Sequence, residues 1–398
     1  MTVPRSVVVV GASLAGLSAV RALRTEGFTG TIAVVGDELH MPYDRPPLSK
    51  DFLHGVDDNQ VVLLDDAAGE ATQLDARWLL GRRAVALGAT DDGRREVTLD
   101  DATTIAADVA IIATGARART LIGAGELAGV HTLRTFDDAQ ALRLSLSTAR
   151  TVVVIGAGFI GAEVASTAVA RGLDVTIVEA TTAPLAGVLG PTVAEICVAQ
   201  HEAHGVRLLT CAAVERLVGD DRVTAVILGD GTELPADVVV IGIGAIPNVE
   251  WAAESGLGID NGFVTDSLCA TAVPGIYAIG DCARTFDTVL GAYHRSEHWT
   301  NATVQAQIAA RRIMEAPQIP TPAPYFWSNQ YGKMLQFAGH RQYTDDVRFV
   351  DGDAKSASFT VVYEREDRVV ATFAMDNPRL FTRYRKQINK IPAPAWTP

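Results

Sequence analysis

Two glycine strings and three carboxylates carry the most legible chemistry in this chain. Gly156-x-Gly158-x-x-Gly161 follows the apolar run Thr151 to Ile155 and opens a helical stretch that reaches Arg171. In that context such a string seats a dinucleotide pyrophosphate on backbone amides at a helix N-terminus. The next strand, Val175 to Val178, ends on Glu179, which is placed to accept hydrogen bonds from both hydroxyls of an adenosine ribose. Its charge would repel a 2′-phosphate, so the pattern favours NADH over NADPH. A variant string, Gly11-x-Ser13-x-x-Gly16, follows Ser6 to Val10, with serine where the second glycine ordinarily allows the closest approach of backbone to phosphate. Its second strand, Thr31 to Val35, leads to Asp37, the better-placed ribose acceptor, and to Glu38, read as a solvated surface charge. The third acid, Asp281, stands at the tip of a strand-like run from Thr271. There it can accept a hydrogen bond from a flavin ribityl hydroxyl, or simply cap the next segment.

The elements that must position these groups form a repeat. Strand, glycine turn, helix and strand occur twice, and each copy is followed by a matching apolar strand ending in glycine. These are Asp108 to Gly115, with the turn Ala113-Thr114-Gly115, and Asp237 to Gly244, which contains Gly242. Each is expected to close a doubly wound parallel sheet. Two such units, the first so near the N-terminus, together with Asp281, point to a flavoprotein with two dinucleotide sites. After a helix expected over Trp299 to Met314, Pro317 to Pro324 reads as a linker. Alternating runs from Tyr325 onward then read as antiparallel strands of a small module. The expected fold is α/β, with two Rossmann-like dinucleotide-binding domains in a glutathione-reductase-like layout and a small α+β C-terminal domain. The expected boundaries are 1–112 and 243–318 for a discontinuous FAD-binding domain, 113–242 for the NAD-binding domain and 319–398 for the last.

Composition narrows the function. The 398 residues are 48% hydrophobic and 20% charged, which suits a folded protein of two or three domains. Apolar runs are strand-sized and the N-terminus lacks a signal-peptide pattern, so no membrane partner and a cytoplasmic location are expected. The formal charge of −13 opposes nucleic-acid binding. Cys197, Cys211, Cys269 and Cys282 show neither a Cys-x-x-Cys redox pair nor zinc-site spacing, so no metal is expected and each reads as a buried small hydrophobe.

The segment Pro42-Tyr-Asp-Arg45-Pro-Pro-Leu-Ser-Lys50, together with Phe159-Ile-Gly-Ala-Glu163, Gly242-Ile-Gly-Ala-Ile-Pro-Asn248, Gly280-Asp-Cys-Ala283, Glu297-His-Trp-Thr-Asn301 and Phe326-Trp-Ser-Asn-Gln-Tyr331, resembles a known family. It is that of the FAD-dependent NADH:ferredoxin reductases serving bacterial P450 and Rieske oxygenases, the putidaredoxin reductase-like proteins. The resemblance covers nearly the whole chain. It implies that Ala15, Asp37, Arg45, Lys50, Val85, Arg134, Asp281 and Trp299 contact FAD, with Gly280, Glu297 and His298 beside them. It places Ile160, Glu163, Gly242 and Gly244 at the nicotinamide cofactor. Lys50 would stabilise negative charge on the reduced flavin ring, Glu163 would stand near both Lys50 and the nicotinamide, and Trp327 would lie beside the flavin. Where relatives commonly place two arginines after the second-strand acid, this chain has Ala183 and Gly187, a loss of phosphate partners that should weaken binding of either nicotinamide cofactor.

The implied cycle is hydride transfer from NADH to FAD, then single electrons to a [2Fe–2S] ferredoxin and, through it, to a P450 or Rieske oxygenase. Rubredoxin and monodehydroascorbate reductases use the same domains; an apoptosis-inducing-factor-like flavoprotein is opposed by the acidic balance, and a plain nicotinamide dehydrogenase by the lack of an obvious catalytic histidine or tyrosine. The missing dithiol separates the chain from glutathione- and thioredoxin-reductase relatives. For docking an acidic ferredoxin, Arg379, Arg383, Arg385, Lys386 and Lys390 form an acid-free basic stretch, with Arg311 and Arg312 as the next candidates.

Overall fold

Runs of valine and isoleucine that are apolar at every position suit parallel strands covered on both faces, and both halves of the chain use them alike. In the computed structural model, which describes residues 4–55, 64, 74–124 and 127–388, Ser6–Val10 pairs in parallel with Thr31–Gly36 on one side and Val109–Ile112 on the other. Ile276–Ala278 and Ala76–Leu80 take the two edges of this five-stranded sheet. The second sheet repeats the plan. Thr151–Ile155 lies between Asp174–Val178 and Val238–Ile241, with Arg207–Leu209 and Val130–His131 at the edges. The strands leading to Gly115 and Gly244 therefore do not close their sheets. Each sits in the interior beside the first strand of its unit, where Val109–Ile112 and Val238–Ile241 are buried at every position.

Helix Leu14–Thr25 buries Leu17, Val20 and Leu23 against the first sheet and packs on Trp299–Ile313. Helix Phe159–Ala170 is apolar nearly all round because it is enclosed twice, by the second sheet and by the C-terminal strand Tyr325–Gln330. The chain crosses between the two units through a short antiparallel pair, Ala116–Ala118 with Ala245–Pro247. Two antiparallel three-stranded excursions, Ala84–Ala89 with its neighbours and Val214–Gly219 with its neighbours, were not foreseen. Their short strands mix exposed and buried positions without a sustained period.

The C-terminal module is a five-stranded antiparallel sheet in the order Tyr325–Gln330, Lys333–Gly339, Arg368–Met375, Phe359–Arg365, Asp346–Asp351. Helix Pro378–Ile388 covers one face through Phe381 and Ile388. The other face buries Phe359, Tyr363 and Phe373 in a cluster that also takes in Leu189, Val193 and Cys197 of the second dinucleotide unit. At about 1.5–3 kcal/mol for each large side chain fully buried, this shared core fixes the module to that unit. Among the described residues no helix is long and apolar enough to cross a membrane.

Candidate functional site

Backbone sterics dictate the first glycine turn at two positions. A Cβ on Gly11 would lie 2.0 Å from the Ala113 carbonyl oxygen, and one on Gly16 would lie 1.9 Å from that of Gly11. Above the turn is a cavity of about 270 Å³ lined by Gly11, Ser13, Asp37, Glu38 and Arg45, the Ala113-Thr114-Gly115 turn, and Arg134. Arg45 is held by Glu38 at 2.5 Å, the Tyr43 hydroxyl at 3.0 Å, the Arg134 carbonyl at 2.7 Å and the Ser13 hydroxyl at 3.3 Å. Glu38 is thus no solvated charge. Its carboxylate takes both Arg45 and Tyr43, while Asp37 is the exposed acid lining the cavity. Arg134 directly precedes a reciprocal cap, Thr135 with Asp138, that starts helix Phe136–Leu146. Its guanidinium meets the Asp281 carboxylate at 2.6 Å. Thr114 and Asn248 clasp each other by two side-chain-to-backbone bonds across the crossover. Helix N-terminal amides and two guanidiniums around a glycine-walled cavity fit an anionic diphosphate.

A second cluster is built by the proline turn. Pro46–Ser49 forms one 3₁₀ turn, after which Lys50 Nζ lies 2.8 Å from Glu163 Oε2 and donates to the Pro46 carbonyl at 2.9 Å. Glu163 is buried, not the surface carboxylate that its helical position alone would suggest. The Trp299 indole donates to Asp44 at 2.9 Å, and its ring stands 6.2 Å from that of Trp327, which stacks on Tyr325 at 5.8 Å. Burial raises the Asp44 carboxyl against the opposing effect of the Trp299 bond. His298, packed on Phe326 with Nδ1 unpartnered, is pushed by burial down to about 4 and is neutral at physiological pH. Glu297 is exposed and pairs with Arg295 at 2.8 Å. Gly280, at φ +72°, packs close to Ala15. Val85 has an exposed side chain on Ala84–Ala89 and does not line the cavity.

At the second turn a Cβ on Gly156 would strike the Gly242 carbonyl oxygen at 2.4 Å, and one on Gly161 that of Gly156 at 2.2 Å. Gly158 differs, since a Cβ there would meet no protein atom within 4 Å. The fold does not need glycine at that position, and the open space leaves room for a ligand to approach the backbone closely. Glu179 accepts the amides of Ala157 at 2.9 Å and Thr181 at 2.8 Å. Burial works to raise its pKa, but these bonds outweigh it and hold the carboxyl below its ordinary range. Ile160 stands exposed in the first helical turn, and Gly244 adopts φ +101° after the neighbouring strand. The loop after Glu179 carries Ala183 and ends in the one-turn helix Ala186–Leu189, which contains Gly187 and is gripped from the C-terminal module. Arg341 donates to the carbonyls of Ala186, Gly187 and Val188, and Tyr363 to that of Leu189. Arg341 lies more than 150 residues beyond the loop in sequence, so no local motif announces it. Tyr43, Ser49 and Asn248, by contrast, sit inside the segments that carried the resemblance. The cysteines are all free, and Cys211 is a correction, being exposed at φ +54° rather than buried. Of the basic stretch, Lys390 lies outside the described residues.

Fold and site together define a two-dinucleotide flavoprotein oxidoreductase. Residues 5–306 match the pyridine nucleotide-disulphide oxidoreductase family and residues 325–395 a reductase C-terminal family. The chain is similar to rhodocoxin reductase of Rhodococcus erythropolis, 38% identical over 96% of this chain and 88% of that one. It is also similar to the biphenyl dioxygenase system ferredoxin–NAD(+) reductase component of Paraburkholderia xenovorans (strain LB400), 37% identical over 95% and 91%. Among solved structures, the covalent putidaredoxin reductase–putidaredoxin complex matches with a TM-score of 0.91 and 34% identity, over 97% of this chain and 93% of that one. The chain belongs to the pyridine nucleotide-disulphide oxidoreductase family, and within it to the putidaredoxin reductase-like flavoproteins.

Proposed function

We propose that this protein is an NADH-dependent ferredoxin reductase, delivering single electrons to a [2Fe–2S] ferredoxin that feeds a P450 or Rieske oxygenase. The observation that carries this reading is the pairing of Lys50 with Glu163 and of Trp299 with Trp327, with Asp44 bonded to Trp299 and within reach of the Lys50 charge, alongside four free cysteines and no dithiol. Relatives named for ferredoxin reduction support the acceptor. Residues 1–112 and 243–318 would hold FAD and 113–242 NADH, with 319–398 as the C-terminal domain. Bound FAD supplies the chemistry of accepting a hydride and releasing electrons one at a time. Arg45 and Arg134 face its diphosphate, Asp37 its ribose and Asp281 its ribityl chain. Lys50 offers positive charge to the ring, and Trp327 excludes water from it. Glu179 receives the NADH ribose and disfavours a 2′-phosphate. The same reading puts the enzyme in the cytoplasm, where NADH is replenished.

Anaerobic NADH titration of the purified protein, followed by cytochrome c reduction with and without [2Fe–2S] ferredoxins, tests cofactor, donor and acceptor in one series. The expected protein is yellow, carries one FAD, bleaches with NADH, and reduces cytochrome c efficiently only when ferredoxin is present. A colourless protein that stays apo on adding FAD sinks the reading. Efficient turnover with rubredoxin or monodehydroascorbate but not ferredoxin replaces the acceptor.

A further inference from the structure

The geometry points to Ser328 of the C-terminal module, oriented by Gln330, as a positioning residue that sets how much of the Lys50 charge reaches the flavin. The inference rests on the assignment of Lys50 to the flavin ring made above. Strand Tyr325–Gln330 runs along helix Phe159–Ala170, with Phe326 against Phe159, Ser328 on Glu163 and the Tyr331 amide on Ser166. Because side chains alternate along a strand, Trp327 faces away from this helix while Ser328 faces into it. Glu163 has two carboxylate oxygens and three donors. Ser328 donates to Oε1 at 2.5 Å, Ser49 donates to Oε2 at 2.5 Å, and Lys50 stands 2.8 Å from Oε2. Gln330 Nε2 donates to Ser328 Oγ at 3.0 Å, which leaves the Ser328 proton to point at Glu163. Ser49, Glu163, Ser328 and Gln330 are all buried, so water does not replace a lost donor at low cost.

Among the described residues, Ser328 is the one donor on the oxygen that Lys50 does not share. With it removed, Ser49 and Lys50 are left together on Oε2, and the carboxylate charge is drawn onto the lysine. Less positive charge then remains for the reduced flavin ring, so hydride acceptance slows and the flavin potential falls together.

The test is a double-mutant cycle on the FAD-loaded enzyme with Ser328→Ala, Lys50→Ala and the pair, read by stopped-flow flavin reduction and by spectroelectrochemistry. Ser328→Ala is expected to slow reduction about tenfold and to lower the midpoint potential by about 30 mV, the two-electron equivalent of a tenfold change. Adding it to Lys50→Ala should change neither quantity further, and Ser328→Thr, which keeps the hydroxyl, should restore both. A purely structural serine would give losses that add to those of Lys50→Ala, with no shift in potential, and that result overturns the inference. If Ser328→Ala does not yield holoenzyme, Gln330→Leu is measured instead, with a smaller shift of the same sign expected and an unchanged potential counting against the chain. Should Lys50→Ala itself leave reduction untouched, both the Lys50 assignment and this inference fall. If Lys50→Ala slows reduction and Ser328→Ala does not, only the inference falls.

Discussion

At the first glycine turn the polar groups come from far along the chain: Arg45 reaches Ser13, Arg134 meets Asp281, and Asn248 clasps Thr114. At the second turn the acid is held locally, Glu179 by the amides of Ala157 and Thr181, and the Gly158 position is bare of protein. The template is the same and the surroundings are not. A site walled by side chains from several distant segments is suited to hold its ligand through folding, whereas one whose acid is held within its own βαβ unit is suited to fill and empty without disturbing the rest. The difference suits a resident cofactor at the first turn and an exchanging one at the second.

The largest effects should come from testing which glycines serve the fold and which the ligand. Gly156→Ala forces a Cβ against the Gly242 carbonyl at φ +103°. It should cost about 3 kcal/mol or more of stability, measured by denaturant unfolding. Gly158→Ala meets open space. Its stability should be that of the parent while the KM for NADH rises about tenfold or more, the equivalent of ~1.4 kcal/mol. If both substitutions unfold the protein equally, the contrast between fold glycine and ligand glycine is wrong.

Exchanging Glu179 for alanine together with Ala180 for arginine should move kcat/KM toward NADPH by about tenfold, since repulsion of a 2′-phosphate gives way to attraction. The pH dependence has a definite sign. The folded pKa of Glu179 is depressed, so its contribution to stability is present above the ordinary glutamate value and is lost as pH falls through the folded value. NADH affinity should therefore be flat from neutral pH down to about 5, and a fall between pH 8 and 6 assigns the titration to another group. A smaller effect is expected at Arg341, whose fork spans three carbonyls of the loop after Glu179. Arg341→Lys cannot reproduce that reach. It should raise the NADH KM about threefold, near the net value of one hydrogen bond. An unchanged KM would show that the Tyr363 and Leu189 contacts suffice to hold the loop.

How much of this was legible depended on whether the signal was local. Both βαβ units, Glu179 and the linker at Pro317–Pro324 announce themselves because period, glycine spacing and proline act within a few residues of where they are written. Glu38 was misread because a carboxylate beside Asp37 at a strand end is locally indistinguishable from a solvated one. What removes it from solvent is Arg45, positioned by a proline turn further on. Ser328, Arg341 and the burial of Glu163 arise from packing between modules, and residues 163 and 328 share no spacing that a periodic pattern could reveal. The interior placement of Val109–Ile112 and Val238–Ile241 could have been inferred, since a strand apolar at every position does not suit an edge.

The smallest expected effect concerns docking, for which an acidic reductase must offer an acidic partner a local positive face. In helix Pro378–Ile388, Arg379, Arg383 and Lys386 are exposed and fall at spacings of four and three, on one face. Arg385 does not join them. Its guanidinium lies 4.2 Å from the Tyr325 ring centroid, and Tyr325 in turn stacks on Trp327. Arg385 thus sits one aromatic layer from Trp327, and the three exposed cations stand on another face of the same helix, from which charge can steer an iron–sulfur protein without touching the cofactor. Steering acts chiefly on association and is screened by salt. Reversing Arg383 and Lys386 to glutamate should raise the apparent KM for ferredoxin a few-fold at low salt, on the order of 0.5–1 kcal/mol for exposed charges, and flatten its salt dependence. NADH-to-ferricyanide turnover should be unaltered, because a small acceptor does not need the face. If the double variant reduces ferredoxin as well as the parent at low salt, the partner docks elsewhere. Arg311 is then the weaker of the two remaining candidates, since it is already committed to Glu26 at 2.9 Å and to the Pro317 carbonyl, which leaves Arg312 as the next residue to reverse.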